Sequence, residues 1–388
     1  MELKKFKISE KTGFLPEEPS QMLSGDSFSE WESIAQRIPQ LIACNHLRKE
    51  INKMLPERVF SDTTLTTEQQ WQRAYIVISF LAQAYLYEES SESLVNEPIS
   101  LPKKLAEPWC ATAEHIGVPP VATYASVVLY NYTLRNPMEF ASADNLQAAL
   151  SFTGESEESW FFMVHVLEEM IAAQGLEAIT RAYKAMSSND SETLEKCLKI
   201  VAETLYSMEK TLTRMYEKCT PGFFYKKLRR FLCFPDCGVI YGESSEVKHY
   251  RSGSGAQDSA IPAFSLFLGI KHEQGSVEEN TLNDFEIYMP AKHREFLKAI
   301  RMEQSVRSYV LESRNTKLIK SYQEAVGALT SFRTEHIKLV TSYIINVKES
   351  EGERVSRDDK GTGGTPFMRF LKNVRDKTVS LKEVTNES

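Results

Sequence analysis

Apolar residues recur three and four apart through much of the chain, in the stretches 68–87, 121–134, 159–173, 191–218 and 284–310, and alternating β-branched runs are few. That spacing lines up side chains on one side of a helix, so each stretch is predicted helical and the fold class is predicted to be all-α. Turn-rich segments separate them: 88–108 with its prolines, and the glycine-rich 234–263 and 348–366. No internal repeat is present. A further helix is predicted from 366 to 374.

The most informative helix lies near the C-terminus. Tyr322, Val326, Leu329, Arg333, His336, Val340, Tyr343 and Val347 alternate four and three apart and so share one side. Six of the eight belong in a core, but burying a guanidinium and an imidazole among them is costly unless each has a strong partner. Two readings stay open. His336 is a core histidine bonded to a backbone carbonyl and Arg333 half of a buried ion pair, or a metal meets His336 and an anion meets Arg333. A haem carries iron and two propionates in one molecule and would serve both.

A second histidine sits in a segment that is apolar nearly all round: Trp160, Phe161, Phe162, Met163, Val164, Val166 and Leu167 surround His165. A helix of that kind is buried. Two buried histidines on separate helices suit a ligand held between them, while structural satisfaction explains either one alone. Downstream, Tyr225, Arg229 and Leu232 share a helical face, which holds Arg229 beside aromatic rings. An arginine so placed is a good receptor for an aromatic carboxylate; the plain alternative is an arginine snorkelling at the surface.

At 388 residues the chain is long enough for two domains, or one with a large elaboration. The 53 acidic against 46 basic residues leave a net charge of −7, which argues against nucleic acid as a partner. Residues 74–87, the most apolar long stretch, are too few to span a bilayer and include Gln83, so no membrane span is expected. The N-terminus lacks the apolar core of a signal peptide. The cysteines at 44, 110, 197, 219, 233 and 237 follow no zinc or haem-attachment spacing, and a reducing, cytoplasmic compartment is expected. Ser252-Gly253-Ser254-Gly255-Ala256-Gln257 would let backbone approach something flat or bulky. Gly361-Thr362-Gly363-Gly364-Thr365 fits no phosphate loop, and the charged stretch before it reads as a lid or a linker.

Taken in order, these residues resemble the indoleamine 2,3-dioxygenases, haem enzymes that open the indole ring of tryptophan. The similarity runs through Pro119-Pro120, Tyr124-Ala125, Asn131, Trp160-Phe161-Phe162, Phe223-Phe224, Leu228-Arg229 and Ser252 to Gln257. It continues through Tyr288-Met289-Pro290, His293-Arg294, Phe296-Leu297, Arg333 with His336, and Lys360 to Thr365 with Met368 and Phe370-Leu371-Lys372.

The resemblance implies two helical domains: a smaller N-terminal one over 1–150, covering the distal side, and a larger haem-binding catalytic one over 151–388 with a mobile loop at about 348–365. It implies haem b, ferrous in the active state, with His336 as proximal iron ligand, Arg333 towards a propionate, and Ser254 and Gly255 over the haem edge. Arg229 would hold the substrate carboxylate. Tyr124, Phe161, Phe224, Tyr225, Ser254, Gly255 and Thr362 would complete the substrate site, with His165, Arg229 and Phe224 closest to the chemistry. The implied reaction inserts O2 across the indole C2–C3 bond of L-tryptophan or a related indoleamine to give N-formylkynurenine, the first step of the kynurenine pathway, in a monomer. Three positions depart from the family: His165 replaces a serine common in vertebrate members and resembles the distal histidine of tryptophan 2,3-dioxygenases, Tyr225 replaces a phenylalanine, and Ser265 replaces an aspartate that pairs with the arginine matching Arg333. The alternatives are a haem-binding sensor or oxygen-binding protein of the same fold, for which a carboxylate clamp at Arg229 has no use, and a helical interaction module without haem.

Overall fold

The computed structural model describes residues 1–25, 28–57, 60–61, 63–88, 97–139, 142–356, 361 and 366–382. Its framework is helical, as the periodicity predicts. The helices Ser156–Ser187, Ser191–Thr213 and Thr316–Val340 lie side by side, the second packed against both others, and Phe367–Ser380 closes on the third. Among the described residues no helix is long and apolar enough to cross a membrane.

Local chemistry sets the ends of these helices. Helix Glu68–Tyr87 starts at a reciprocal cap in which the Thr67 hydroxyl accepts from the Gln70 amide and the Gln70 side chain accepts from the Thr67 amide, both at 3.2 Å. Helix Ser156–Ser187 is moored by the buried Glu158, whose carboxylate accepts from the Ser151 hydroxyl and from the Phe152 and Thr153 amides at 2.6–2.7 Å. Gly175 in the same helix is there for close approach, since a Cβ would lie 2.6 Å from the ring of Phe264 on helix Ala260–Phe267. Near the N-terminus the buried pair Arg73–Glu32, at 2.6 Å, ties the helices Ser29–Gln36 and Glu68–Tyr87 together. Glu32 also accepts from the Leu23 amide, so the charge is bonded on several sides.

Two predicted helices are corrected. Residues 121–134 form a π-helical turn, Ala125–Leu129, followed by the strand Tyr132–Leu134, which pairs antiparallel with Leu146–Ala148. The switch occurs at Asn131, buried and bonded through its side chain to the Val127 and Leu150 carbonyls and the Leu150 amide, an arrangement that a continuing helix could not make. Residues 284–310 are not one helix but parts of three, Val277–Glu286, Ala291–Met302 and Val306–Glu312. Pro290 and the Ser305 cap, which accepts from the Ser308 amide, restart the chain each time. The segments read as turns also contain short elements: Ile99–Leu101 runs parallel to Val239–Tyr241, which pairs antiparallel with Val247–Lys248.

The His336 helix continues beyond Val340 through a π-helical turn, Thr341–Ile345, into Asn346–Ser350. A third such turn, Phe224–Leu228, lies close by. The three π-helical turns found among the described residues all supply residues to one cavity: Val127 and Val128, Phe224, and Tyr343 and Ile344. An extra residue per turn rotates side chains out of the ordinary helical register, which is why such turns recur at functional sites.

Candidate active site

Two connected hollows lie between the helices Ser156–Ser187 and Thr316–Val340, one of about 510 Å3 and one of about 170 Å3. Tyr124, His165, Gly255, Ala256, His336, Phe370 and Leu371 border both, so they are two chambers of one space. The two histidines, on separate helices, border the same space. Each imidazole is half-buried and lies on the cavity wall.

The two rings are prepared differently. His165 Nδ1 lies 2.8 Å from the carbonyl oxygen of Phe161 and must donate to it, which leaves Nε2 as an acceptor at the cavity. Burial holds His165 below the usual histidine range, against the opposing effect of that bond. His336 is pushed down to about 4, by burial first and then by His165. It is therefore neutral near pH 7, and among the described residues neither of its nitrogens has a hydrogen-bond partner. The reading of His336 as a core histidine bonded to a carbonyl is not met.

Arg333 is deep in the protein, and burial lowers its guanidinium to about 10, still cationic at neutral pH. Its Nη1 donates to the Thr378 hydroxyl and the Val374 carbonyl, and Nη2 donates to the Ser265 hydroxyl at 2.8 Å. Ser265 thus stands next to Arg333, as its place in the family pattern implies, but brings no negative charge. Among the described residues Arg333 pairs with no carboxylate, and three of its five N–H groups are used. The larger chamber borders this buried cation.

Aromatic rings wall the smaller chamber. Phe161 stacks on Phe224 at 4.9 Å, Phe224 meets Tyr343 at 5.9 Å, and His165 lies 5.0 Å from Phe161 and 6.2 Å from Tyr124. Ser254 and Gly255 line it too. Their loop is pinned by Gln257, which accepts from the Tyr124 amide at 2.9 Å and donates to the Ser252 carbonyl at 3.0 Å. A Cβ on Gly255 would touch nothing within 4 Å, so the protein leaves room on its cavity side.

Arg229 and Tyr225 are not part of the lining. Arg229 lies 5.5 Å over the Tyr225 ring, as the shared helical face predicts, and the Tyr225 hydroxyl donates to Glu353 at 3.2 Å. Their neighbours Phe224 and Leu232 do form the wall. Thr362 lies outside the described residues.

One feature was not legible in the sequence. Glu168 and Glu169, buried with Asp258 beside them, face the larger chamber, and Glu168 Oε1 has no partner. Burial, then the charge of Asp258, raises both carboxyls well above their usual 4.5. The signal available was two acids within a segment otherwise apolar on every side. The sign of the linkage is definite: the fold favours the protonated acid, so its contribution is fully present below about pH 4.5 and is lost as pH rises above that value. Glu168→Gln should accordingly stabilise the protein more at pH 8 than at pH 5, by up to about 1.4 kcal/mol per pH unit until the folded-state carboxyl itself titrates. Urea melts at the two pH values measure this, and an equal effect at both would refute it.

The cavity fits a haem in its donor set: the neutral, unpartnered imidazole of His336, the Arg333 cation with unused donors, and apolar walls with a cleared glycine edge. Comparison with known proteins identifies the family. The profile described as Indoleamine 2,3-dioxygenase matches residues 2–381. Human indoleamine 2,3-dioxygenase 2 is 32% identical over 396 residues, covering 98% of this chain and 95% of the relative. The indoleamine 2,3-dioxygenase of Saccharomyces cerevisiae is 32% identical, covering 99% of this chain and 94% of its own. Rat indoleamine 2,3-dioxygenase 1 is 30% identical at 97% and 94% coverage. With the whole described fold inside the matched range, the chain belongs to the indoleamine 2,3-dioxygenase family.

Proposed function

We propose that this oxidoreductase binds haem b through His336 and uses O2 to cleave the indole C2–C3 bond of L-tryptophan, giving N-formylkynurenine. The observation that carries the reading is His336: half-buried, neutral and, among the described residues, without a hydrogen-bond partner, on the wall of a cavity that a second histidine faces from another helix. Bound there, a haem would supply the iron that activates O2. Arg333 would neutralise a propionate, in place of the aspartate that Ser265 replaces. Ser254 and Gly255 would lie along the haem edge.

The chain's own residues do the positioning. Phe161, Phe224 and Tyr124 offer an indole flat and edge contacts along the apolar chamber, while Arg229 takes the carboxylate. Holding both ends of the substrate makes the encounter with O2 effectively intramolecular. Thr362 is proposed to close over the bound amino acid. The N-terminal residues 1–150, which provide Tyr124, Val127 and Val128, are proposed to form the smaller domain over this side, with 151–388 as the haem-binding domain.

His165 has a defined task. Its Nδ1 is committed to the Phe161 carbonyl, so Nε2 can accept the indole N–H. A site built to accept that hydrogen rejects the analogue lacking it, because the acceptor is left buried and unpaired. Tryptophan is therefore expected to turn over well and 1-methyl-tryptophan poorly, with His165→Ser narrowing the difference. Equal rates on both compounds with the unaltered protein would show that no such bond forms.

The deciding experiment is haem reconstitution followed by absorption spectra with and without L-tryptophan and product detection. A Soret band that responds to tryptophan, with N-formylkynurenine formed, is the expected result. A band with no response and no product would mark a haem sensor, and no band at all a helical module without haem.

A further inference from the structure

The aromatic wall continues out of the cavity. Tyr343 stands seven residues after His336 on the same side of its helix, lines the smaller chamber and is 2% exposed. Its ring lies 5.5 Å from that of Tyr216, on the short helix Met215–Lys218, and Tyr216 is 45% exposed. Inward, Tyr343 meets Phe224, which stacks on Phe161. Among the described residues, no other ring contact leads from a cavity-lining aromatic to an oxidisable ring this open to solvent.

We propose that Tyr343 and Tyr216 form a route by which oxidising equivalents leave the cavity for the protein surface, where a soluble reductant removes them. The proposal rests on haem binding at His336 and adds to it a means of surviving peroxide. Hydrogen peroxide reaching the haem takes up two electrons and two protons as it becomes two waters, and it leaves a two-electron deficit behind. Phe224 and Phe161 are poor electron donors. Tyrosine is a good one, provided that its phenolic proton has somewhere to go.

That condition separates the two tyrosines. The Tyr343 hydroxyl donates to the Cys219 carbonyl, which cannot take up a proton, and burial makes this phenol a weaker acid than usual, its pKa pushed above the ordinary range. The nearby Cys219 thiol is no better, pushed up to about 12 by burial. Neither can hold the deficit. Tyr216 is in water, so when it gives an electron inward its O–H bond breaks and the proton leaves to solvent, and the phenoxyl comes to rest there. An ene-diol such as ascorbate then returns one hydrogen atom and restores the O–H bond. Two such rounds for each peroxide convert the ene-diol to its diketone, and electrons and protons balance.

The test uses haem-loaded protein whose Soret band and tryptophan turnover have been verified. Hydrogen peroxide is added, samples are frozen for electron paramagnetic resonance, and a parallel sample is treated with a nitroso spin trap and digested. A phenoxyl signal is expected, with the trap adduct on the peptide carrying Tyr216. Tyr216→Phe keeps the ring and lies away from the substrate, so tryptophan turnover should be unchanged. The adduct should vanish, ascorbate-dependent peroxide consumption should fall several-fold, and the Soret band should bleach several-fold faster. Tyr343→Phe should lower the Tyr216 adduct while leaving Tyr216 in place. Equal bleaching and peroxide consumption in the wild type and Tyr216→Phe, in protein that still turns over tryptophan, would overturn the route alone. Failure to take up haem at all would overturn it together with the haem reading, and the Soret band tells the two failures apart.

Discussion

His336→Ala should yield a folded protein that loses its haem on purification and whose tryptophan oxidation falls to background. The imidazole is neutral, has no competing hydrogen bond among the described residues and borders both chambers, so its loss removes the nitrogen proposed to hold the iron. The fold should survive. Alanine is a better helix former than histidine, and Tyr322, Val326 and Leu329 keep the same side of the helix buried. Because His336 already borders open space, truncation enlarges an existing cavity and does not open a new one in packed core. Haem content by absorbance and helicity by circular dichroism, read on one preparation, measure both halves. Added imidazole should restore part of the Soret band by occupying the vacated position. A variant that keeps full haem and full activity would remove His336 from the mechanism.

Arg229→Ala is expected to weaken apparent tryptophan affinity at least about tenfold while haem stays bound. A charge-assisted, two-pronged contact is worth roughly 1.5–3 kcal/mol, and about 1.4 kcal/mol is a factor of ten. The structure adds a condition. Arg229 lies over Tyr225, next to Phe224 and Leu232 in the wall but not itself lining the cavity, so its fork must turn towards the substrate on binding. Tryptamine, which has no carboxylate, supplies the control: its turnover should change little in the variant, and the preference for tryptophan over tryptamine should shrink. If Arg229→Ala handled tryptophan as the wild type does, and the preference were unaltered, the carboxylate contact would have to lie elsewhere.

Both variants act on residues that helical spacing had singled out, and that is where sequence reasoning was strong. Of the residues in that four-and-three alternation, Tyr322, Val326 and Leu329 are buried in the helix and Arg333, His336, Val340 and Tyr343 border the cavity, the last of them from the π-helical turn. The apolar surroundings of His165 correctly marked a buried helix, which proved twice as long as the segment that betrayed it. Periodicity failed where it met a competing local signal. Residues 121–134 have helical spacing, but the Asn131 side chain satisfies backbone groups that a helix would have used, and the strand pairing with Leu146–Ala148 takes the rest. In 284–310 the apolar positions stay in phase across Pro290, so spacing alone could not show that the chain stops and restarts.

By itself the sequence determined the helical class, the inward sides of the main helices and, through the order of its motifs, the family. These are properties of short stretches, set by side-chain spacing and by caps within a few residues. Only the tertiary structure decided what each inward side meets: that His165 and His336 border one cavity, that Ser265 offers Arg333 only a hydroxyl oxygen as acceptor, that Glu168 and Glu169 are buried beside Asp258, and that Tyr343 touches an exposed tyrosine. A periodic pattern records that a residue is turned away from water. Whether burial then leaves an imidazole neutral, a carboxyl protonated or a guanidinium without a counter-charge depends on groups brought in from distant parts of the chain, because desolvation and charge act through space over a few ångströms.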